Sequence, residues 1–198
     1  MNAQKIVDIL LEEEEEDFNA YFMAALTPEE AYWMAITHPE LRRFIETVIA
    51  KSSSYALSYA LKIYGPFPAG EPAIATDADC SYHYATEVLK GKPFPLGEPA
   101  IATSPLWSSW YANDVLNGPF PLGEPVIATD YEQSYDYATR ALKGERFPAG
   151  EAELAKNAEF AYLYAKNVLG DRFHEAEAVI ARYPSVRLDY NRLFGTNI

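Results

Sequence analysis

The chain has 198 residues, of which 49% are apolar, and its 29 acidic and 16 basic side chains give a net charge of −13. This apolar content is typical of a folded globular protein, and the negative charge argues against binding a nucleic-acid backbone through a broad basic surface. The single cysteine, Cys80, excludes an internal disulfide, and the lack of a long apolar run predicts a cytoplasmic protein with no membrane partner.

The first fifty residues hold an acidic run at positions 12–17, followed by the start of a helix. The run is typical of a solvated helix end, and the alternative is a docking site for a basic partner. Thr27, Pro28 and Glu30 mark the helix start, because threonine caps, proline fits the first helical position and glutamate completes a capping box. Apolar residues at helical spacing predict a second helix over 40–50.

From residue 67 onward the chain repeats a short motif, Phe-Pro-x-Gly-Glu, at almost constant intervals. The motif begins at Phe67, Phe94, Phe120 and Phe147, and a decayed copy begins at Phe173. The intervals are 27, 26, 27 and 26 residues. A fixed period of this length indicates an array of small units that bury their apolar faces by stacking on their neighbours.

Each unit is expected to begin with a long helix, which can be aligned on a small residue near its middle. The aligned residues are Ala35, Ala60, Ala85, Ala112, Ala138 and Ala165, with Tyr190 in the last copy. Eight places earlier stand residues that favour helix N-caps, namely Thr27, Ser52, Asp77, Ser104, Asp130 and Asn157. Five or six places later stand glycines, expected as left-handed C-caps: Gly65, Gly91, Gly118, Gly144, Gly170 and Gly195.

A stiff loop and a second, shorter helix complete each unit. A residue before proline is held in an extended conformation, so the phenylalanines of the motif are expected to fill the gap between neighbouring units. The short helix directs one aliphatic side chain inward, and these side chains are Ile74, Ile101, Ile127, Leu154 and Ile180. Because such a helix is too short to be stable alone, its stability must come from stacking.

The pattern predicts an all-α fold, an α-solenoid of about six to seven short helix pairs with a period of ~26 residues. One domain is expected over 1–198. Residues 1–50 form an atypical N-terminal cap, 51–182 the regular repeats and 183–198 a C-terminal cap. The alternative is a compact helical bundle. A strict period favours the solenoid, because such a period implies that every unit meets its neighbours in the same way.

The repeat, Tyr-x-Tyr-Ala-x-x-Val-Leu-x-Gly-x-x-Phe-Pro-x-Gly-Glu-x-x-Ile, resembles short tandem helical repeats in uncharacterised proteins of bacteriophages and large DNA viruses. The matching residues run from Tyr55 to about Ile180. The most specific matches are Gly91, Phe94, Pro95, Glu98 and Ile101 and their equivalents. The last unit departs from the pattern at His174 and Ala176. The resemblance implies a viral source and a repeat fold, and it implies no shared chemistry.

Catalytic and metal-binding patterns are weak in this sequence. His38, His83 and His174 stand in different units, and no two of them have the spacing of metal ligands. One cysteine cannot supply a zinc site, and no nucleophile elbow or phosphate-binding glycine loop is present. The sequence therefore predicts a protein that is not an enzyme and that needs neither a metal nor a cofactor.

Two positions of the long helices vary from unit to unit, two places before and two places after the aligned residue. Residues four apart share a helix face, so stacked units would place them in one row. This variable row consists of His83, Glu87, Trp110, Asp114, Asp136, Arg140, Leu163 and Asn167. A solvated face with ordinary ion pairs is one interpretation. Trp110 favours a binding surface, since an exposed tryptophan on a polar row suits an anchor.

The sequence leaves two classes of function open. The first is a virus-encoded module that presents one solenoid face to a host protein, in the host cytoplasm, and blocks or sequesters it. The second is a protein that sequesters a small anionic or nucleotide-like ligand between units, held by tyrosine rings. Basic residues near the glycine turns would serve that second role: Lys90, Lys92, Arg140, Lys143, Arg146, Lys166 and Arg172. A mimic of nucleic-acid charge is less favoured, because the acidic residues beyond 12–17 are spread out.

Overall fold

The computed structural model describes residues 23–63 and 65–198, and every regular element in those two ranges is helical. The all-α prediction is confirmed for this part of the chain. None of its helices is long and apolar enough to cross a lipid bilayer. The acidic run at 12–17, with its two interpretations, lies outside the described residues.

Each unit has an opening helix, and a second helix connects it to the next unit. The helices that open the units are α1 (Pro28–Thr37), α3 (Ser53–Lys62), α5 (Ala78–His83), α7 (Pro105–Tyr111), α9 (Tyr131–Asp136), α11 (Ala158–Tyr164) and α13 (Pro184–Phe194). The helices between them are α2 (Arg42–Ile49), α4 (Glu71–Ile74), α6 (Glu98–Ile101), α8 (Glu124–Ile127), α10 (Pro148–Leu154) and α12 (Glu177–Ile180). Single 3-10 turns, Pro39–Leu41 and His174–Ala176, precede α2 and α12.

Four of the opening helices widen into a π-helical turn that continues directly from the α-helical part. These turns are Tyr84–Val88, Ala112–Leu116, Tyr137–Ala141 and Ala165–Leu169. In the first of them the N–H of Leu89 donates to the carbonyl of Tyr84, five residues earlier. The sequence predicted plain α-helix here, because a π-turn changes the hydrogen-bond partner without changing the apolar pattern.

The predicted N-caps are largely confirmed. Five of them accept a hydrogen bond from a backbone N–H of their own helix: Thr27, Asp77, Ser104, Asp130 and Asn157. Thr27 and Glu30 form the complete capping box. Ser52 stands at the N-cap of α3 without a capping bond, and its hydroxyl lies 3.2 Å from that of Ser54 instead.

The phenylalanines and the inward aliphatic residues are buried as predicted. The five motif phenylalanines are 1–4% exposed, and the aliphatic residue of each short helix is fully buried. The glycine of the motif allows this packing. A Cβ at Gly123 would lie 2.5 Å from the ring of Phe120 and 2.8 Å from the Cβ of Ser108.

From the unit that begins with α3 onward, one tyrosine of each unit couples that unit to the preceding one. Its hydroxyl donates to a glutamate thirteen residues earlier, over 2.6–3.2 Å. These tyrosine–glutamate pairs are Tyr59–Glu46, Tyr84–Glu71, Tyr111–Glu98, Tyr137–Glu124, Tyr164–Glu151 and Tyr190–Glu177. From the second pair onward the hydroxyl also accepts the backbone N–H of the motif phenylalanine, over 2.7–3.0 Å. Each opening helix also packs against the opening helix of the next unit.

Two details of the sequence alignment are wrong. Tyr190 is the partner of Glu177 and of the Phe173 N–H, so it matches the tyrosine of the other units and not their alanine. Four of the predicted glycine C-caps do have positive φ, namely Gly91, Gly144, Gly170 and Gly195, and Lys90, Asn117 and Lys143 are also at positive φ. Gly65 and Gly118 are not at positive φ, and in front of Gly118 the left-handed residue is Asn117, the C-cap of the π-turn.

Candidate functional site

Half of the variable row forms one concave site. Trp110, Asp114, Asp136 and Arg140 line a pocket of about 210 Å³ between the helical segments 105–116 and 131–141. Tyr82, Ser109 and Asn113 complete its wall. The pocket therefore joins three consecutive units, and three of its residues were not among those predicted from the sequence.

The pocket exists because Ser109 interrupts a repeated tyrosine contact. Three places before the aligned alanine, the neighbouring units carry Tyr82 and Tyr135, and each reaches a residue of the next unit. The Tyr82 hydroxyl donates to Asp114 Oδ2 over 2.6 Å, and the Tyr135 hydroxyl accepts from the side-chain amide of Asn167 over 2.7 Å. Ser109, at the equivalent position, lacks the ring that would reach Arg140, so the space remains open.

An aromatic cluster forms one side of the pocket and extends beyond it. Trp110 is 39% exposed, and its ring centroid lies 5.9 Å from that of Tyr82 and 5.5 Å from that of Trp107. Trp107 in turn packs against Tyr82 at 5.1 Å and against His83 at 5.6 Å. Such edge and tilted contacts stabilise aromatic pairs beyond their buried area. The cluster therefore fixes Trp110 while leaving part of its ring open to the pocket.

The charges of the pocket are unequally satisfied. Asp114 accepts from the Tyr82 hydroxyl and from the side-chain amide of Asn113, each over 2.6 Å. Burial, and then the bond to Asp114, raises the pKa of Tyr82 well above its usual value, so its hydroxyl remains a donor. Among the described residues, the Asp136 carboxylate has one ion pair, with Arg140 at 3.9 Å, which is too long for a hydrogen bond.

No family model, curated protein or solved structure matches the chain.

The other predicted row residues lie beside the pocket and not in it. His83 is held between two carboxylates, with Nδ1 2.8 Å from Glu87 Oε1 and Nε2 3.3 Å from Asp79 Oδ1. Leu163 is half-buried one unit further on, and Asn167 is engaged with Tyr135. Of the eight residues of the variable row, the pocket therefore brings together four, and the other four have different neighbours.

A second group of side chains has the donor types of a metal site. The ligand atoms of Asp77, Asp79 and Cys80 lie within 4.8 Å of one another. Asp77, however, already accepts the N–H of Cys80 over 2.8 Å as a helix cap. Burial, and then the nearby Asp77 carboxylate, raises the pKa of the Cys80 thiol to about 11, so it is a neutral thiol at neutral pH. The group is explained by capping.

One signal in the sequence could have located the pocket. In the regular repeats this position is tyrosine at Tyr82, Tyr135 and Tyr162, leucine at Leu57 and serine at Ser109. A large residue replaced by a small one within an array of equivalent units predicts a gap, because the neighbouring units keep their spacing. Trp107 was also missed. It stands outside the variable row, and its contacts with that row depend on the arrangement of two units.

Proposed function

We propose that this protein is a non-catalytic binding module, in which the repeated units stack into a solenoid and the variable row faces a protein partner. The stacking is supported by the tyrosine–glutamate pairs. The hydroxyl of Tyr111, for example, belongs to one unit and bonds Glu98 and the N–H of Phe94 in the unit before it. A bond repeated with the same spacing favours the same geometry at each junction.

The observation that carries the proposal is the pocket beside Trp110. Hot spots of protein interfaces are enriched in tryptophan, tyrosine and arginine, and they cluster around a central pocket. Trp110, Tyr82 and Arg140 supply all three residue types around one concavity. Trp110 is supported by Trp107 and is 39% exposed, so its orientation is set before a partner arrives.

The resemblance to repeats of phages and large DNA viruses extends the proposal. A virus-encoded module of this kind would act in the host cytoplasm, where it would block or sequester a host protein. Binding through a small pocket with a fixed aromatic wall suits that role, because a preorganised surface loses little conformational entropy on binding.

The alternative, a small anionic ligand held between units by tyrosine rings, has less support. The repeated tyrosines are fully buried, and their hydroxyls are engaged with glutamates and backbone N–H groups. Two of the basic residues that it would need are engaged as well. Arg146 forms two bonds to Glu151, over 2.9 and 2.8 Å, and Arg172 forms two to Glu177, over 2.7 and 2.8 Å.

Quantitative affinity capture tests the proposal. The full chain and its Trp110→Ala variant would be immobilised and exposed to a lysate of a candidate host cell, and retained proteins would be quantified by mass spectrometry. Leu122→Ala is the matched control, since Leu122 is 54% exposed but lies in a Phe-Pro loop outside the row. We expect at least one protein to be retained by the wild type and by Leu122→Ala, and to be lost by roughly tenfold or more from Trp110→Ala. If every protein retained by the wild type is retained equally by Trp110→Ala, the proposal is refuted.

A further inference from the structure

The pocket opened by Ser109 combines two carboxylates with the partly exposed ring of Trp110, a combination that suits a planar organic cation. We infer that this pocket receives the arginine side chain of a basic segment in the protein partner. The inference rests on the proposed function, and it adds the chemical class of the group that the partner contributes.

The carboxylates have acceptor capacity to spare. Each oxygen of a carboxylate can accept about two hydrogen bonds. Asp114 has one donor on each oxygen, the Tyr82 hydroxyl on Oδ2 and the Asn113 amide on Oδ1. The Asp136 carboxylate accepts no hydrogen bond within the described part of the chain, and its ion pair with Arg140 spans 3.9 Å. A guanidinium with five N–H donors fits two such carboxylates lining one cavity.

The aromatic wall selects a planar cation over a compact one. The faces of tryptophan and tyrosine attract cations, and a guanidinium group can stack on them while its edge donates hydrogen bonds. Trp110 offers the exposed ring of the lining, and the buried Tyr82 supports it with ring centroids 5.9 Å apart. A lysine ammonium carries the same charge but cannot stack, so arginine is the better occupant.

The charge of the surroundings points the same way. The lining contains two carboxylates against one guanidinium, that of Arg140, which is 61% exposed. In the unit that carries Tyr82, Glu87 and Asp79 flank His83 and add further negative charge. An anionic ligand would meet this excess of carboxylates. An incoming arginine would relieve the repulsion between them.

The size of the pocket fits one side chain. Its volume is about 210 Å³, and it is where the tyrosine ring of a regular unit would lie. Replacing Ser109 by tyrosine would restore the residue that the repeat carries at Tyr82, Tyr135 and Tyr162. Ser109→Tyr should therefore close the pocket while leaving the fold intact.

The test uses the full chain labelled with ¹⁵N and four short peptides, acetyl-Gly-Gly-X-Gly-Gly-amide, with X as arginine, lysine, citrulline or glutamate. Citrulline has nearly the shape of arginine without its charge. The readout is the indole N–H signals of the three tryptophans in the chain, assigned through single Trp→Phe variants. We expect the arginine peptide to shift the Trp110 signal in a saturable titration, while the signal of Trp33, which lies in the first described helix, stays in place.

The expected order of apparent affinity is arginine, then lysine, then citrulline, with the glutamate peptide silent. The arginine peptide should bind roughly tenfold or more tightly than the citrulline peptide. Ser109→Tyr and Asp136→Asn should each weaken the arginine peptide by a similar factor. Asp136→Asn keeps the size of the side chain and removes its charge, so it serves as the second variant if Ser109→Tyr perturbs the helix.

Several results would overturn the inference. Equal binding of citrulline and arginine would remove the role of charge, and lysine binding as tightly as arginine would remove the role of the planar group. Undiminished binding to Ser109→Tyr would place the peptide elsewhere. These outcomes are separate from failure of the proposed function. A partner captured through Trp110 by both the wild type and Ser109→Tyr would leave that function standing and the arginine pocket refuted.

Discussion

The hydroxyl of Tyr137 lies 2.8 Å from Oε1 of Glu124, to which it donates, and it accepts the backbone N–H of Phe120 over 2.9 Å. Tyr137 belongs to one unit, and both of its partners belong to the loop and short helix of the unit before. Burial raises the pKa of Tyr137 well above its usual value, so at neutral pH the hydroxyl keeps its proton and can both donate and accept. One side chain thus satisfies two polar groups at a junction between units.

Tyr137→Phe should lower the free energy of unfolding by about 1–3 kcal/mol, because the N–H of Phe120 would be buried without a partner. The matched control is Tyr131→Phe in the same helix. Tyr131 packs against Phe160 with ring centroids 5.0 Å apart, and its hydroxyl forms no hydrogen bond within the described residues. The control should stay within about 0.5 kcal/mol of the wild type. Urea unfolding measures both, and equal losses would show that the hydroxyl bonds are not what joins the units.

The repeat made the buried positions of the core predictable, but not the bonds of the tyrosine hydroxyls between units. Equivalent residues such as Phe94 and Phe120 could be assigned to the core because the same type recurs at each copy, and their burial is confirmed. The π-turns could not be predicted, since a fifth residue in the hydrogen-bonded turn leaves no mark on the apolar pattern. The pocket was hidden for a different reason. The consensus of the repeat contains the residues that recur, whereas the pocket depends on Ser109, a residue that departs from it.

Alanine at the motif glycine Gly123 and at the turn glycine Gly118 should change stability by different amounts. Gly123→Ala should cost about 1–3 kcal/mol, because its Cβ would lie 2.5 Å from the ring of Phe120 and 2.8 Å from the Cβ of Ser108. Gly118→Ala should be nearly neutral. Gly118 is not at positive φ, and the nearest atom to its Cβ would be the carbonyl oxygen of Leu116 at 3.8 Å. Chemical unfolding of both variants decides between these expectations, and a large loss at Gly118 would mean that the left-handed residue of this turn is not Asn117.

Acid should weaken the last junction through Glu177. The Arg172 guanidinium, bonded to the carboxylate over 2.7 and 2.8 Å, is the main cause that holds the pKa of Glu177 below its usual 4.5. A carboxyl whose pKa is lower in the folded state adds stability above its unfolded pKa, and that stability is lost as the pH falls through the folded value. Arg172→Gln should therefore reduce stability at pH 7 and flatten the further loss below about pH 4.5. If the wild type and Arg172→Gln have the same stability at pH 7 and lose the same amount in acid, the pair does not contribute.

Trp110→Ala is expected to have a moderate effect on stability, and this matters for any binding experiment that uses it. Trp110 is 39% exposed, yet its ring contacts those of Tyr82 and Trp107, so truncation removes real packing. We expect a loss of about 1–2 kcal/mol, below the 3–5 kcal/mol typical of a fully buried tryptophan. Trp33→Ala is the control, since Trp33 is 57% exposed, and it should change stability by less than Trp110→Ala.

Thermal and urea melts of the two variants measure the difference. A loss at Trp110 as large as that of a core residue would mean that its role is structural, and weaker partner binding by this variant would then reflect a damaged fold and not a missing anchor.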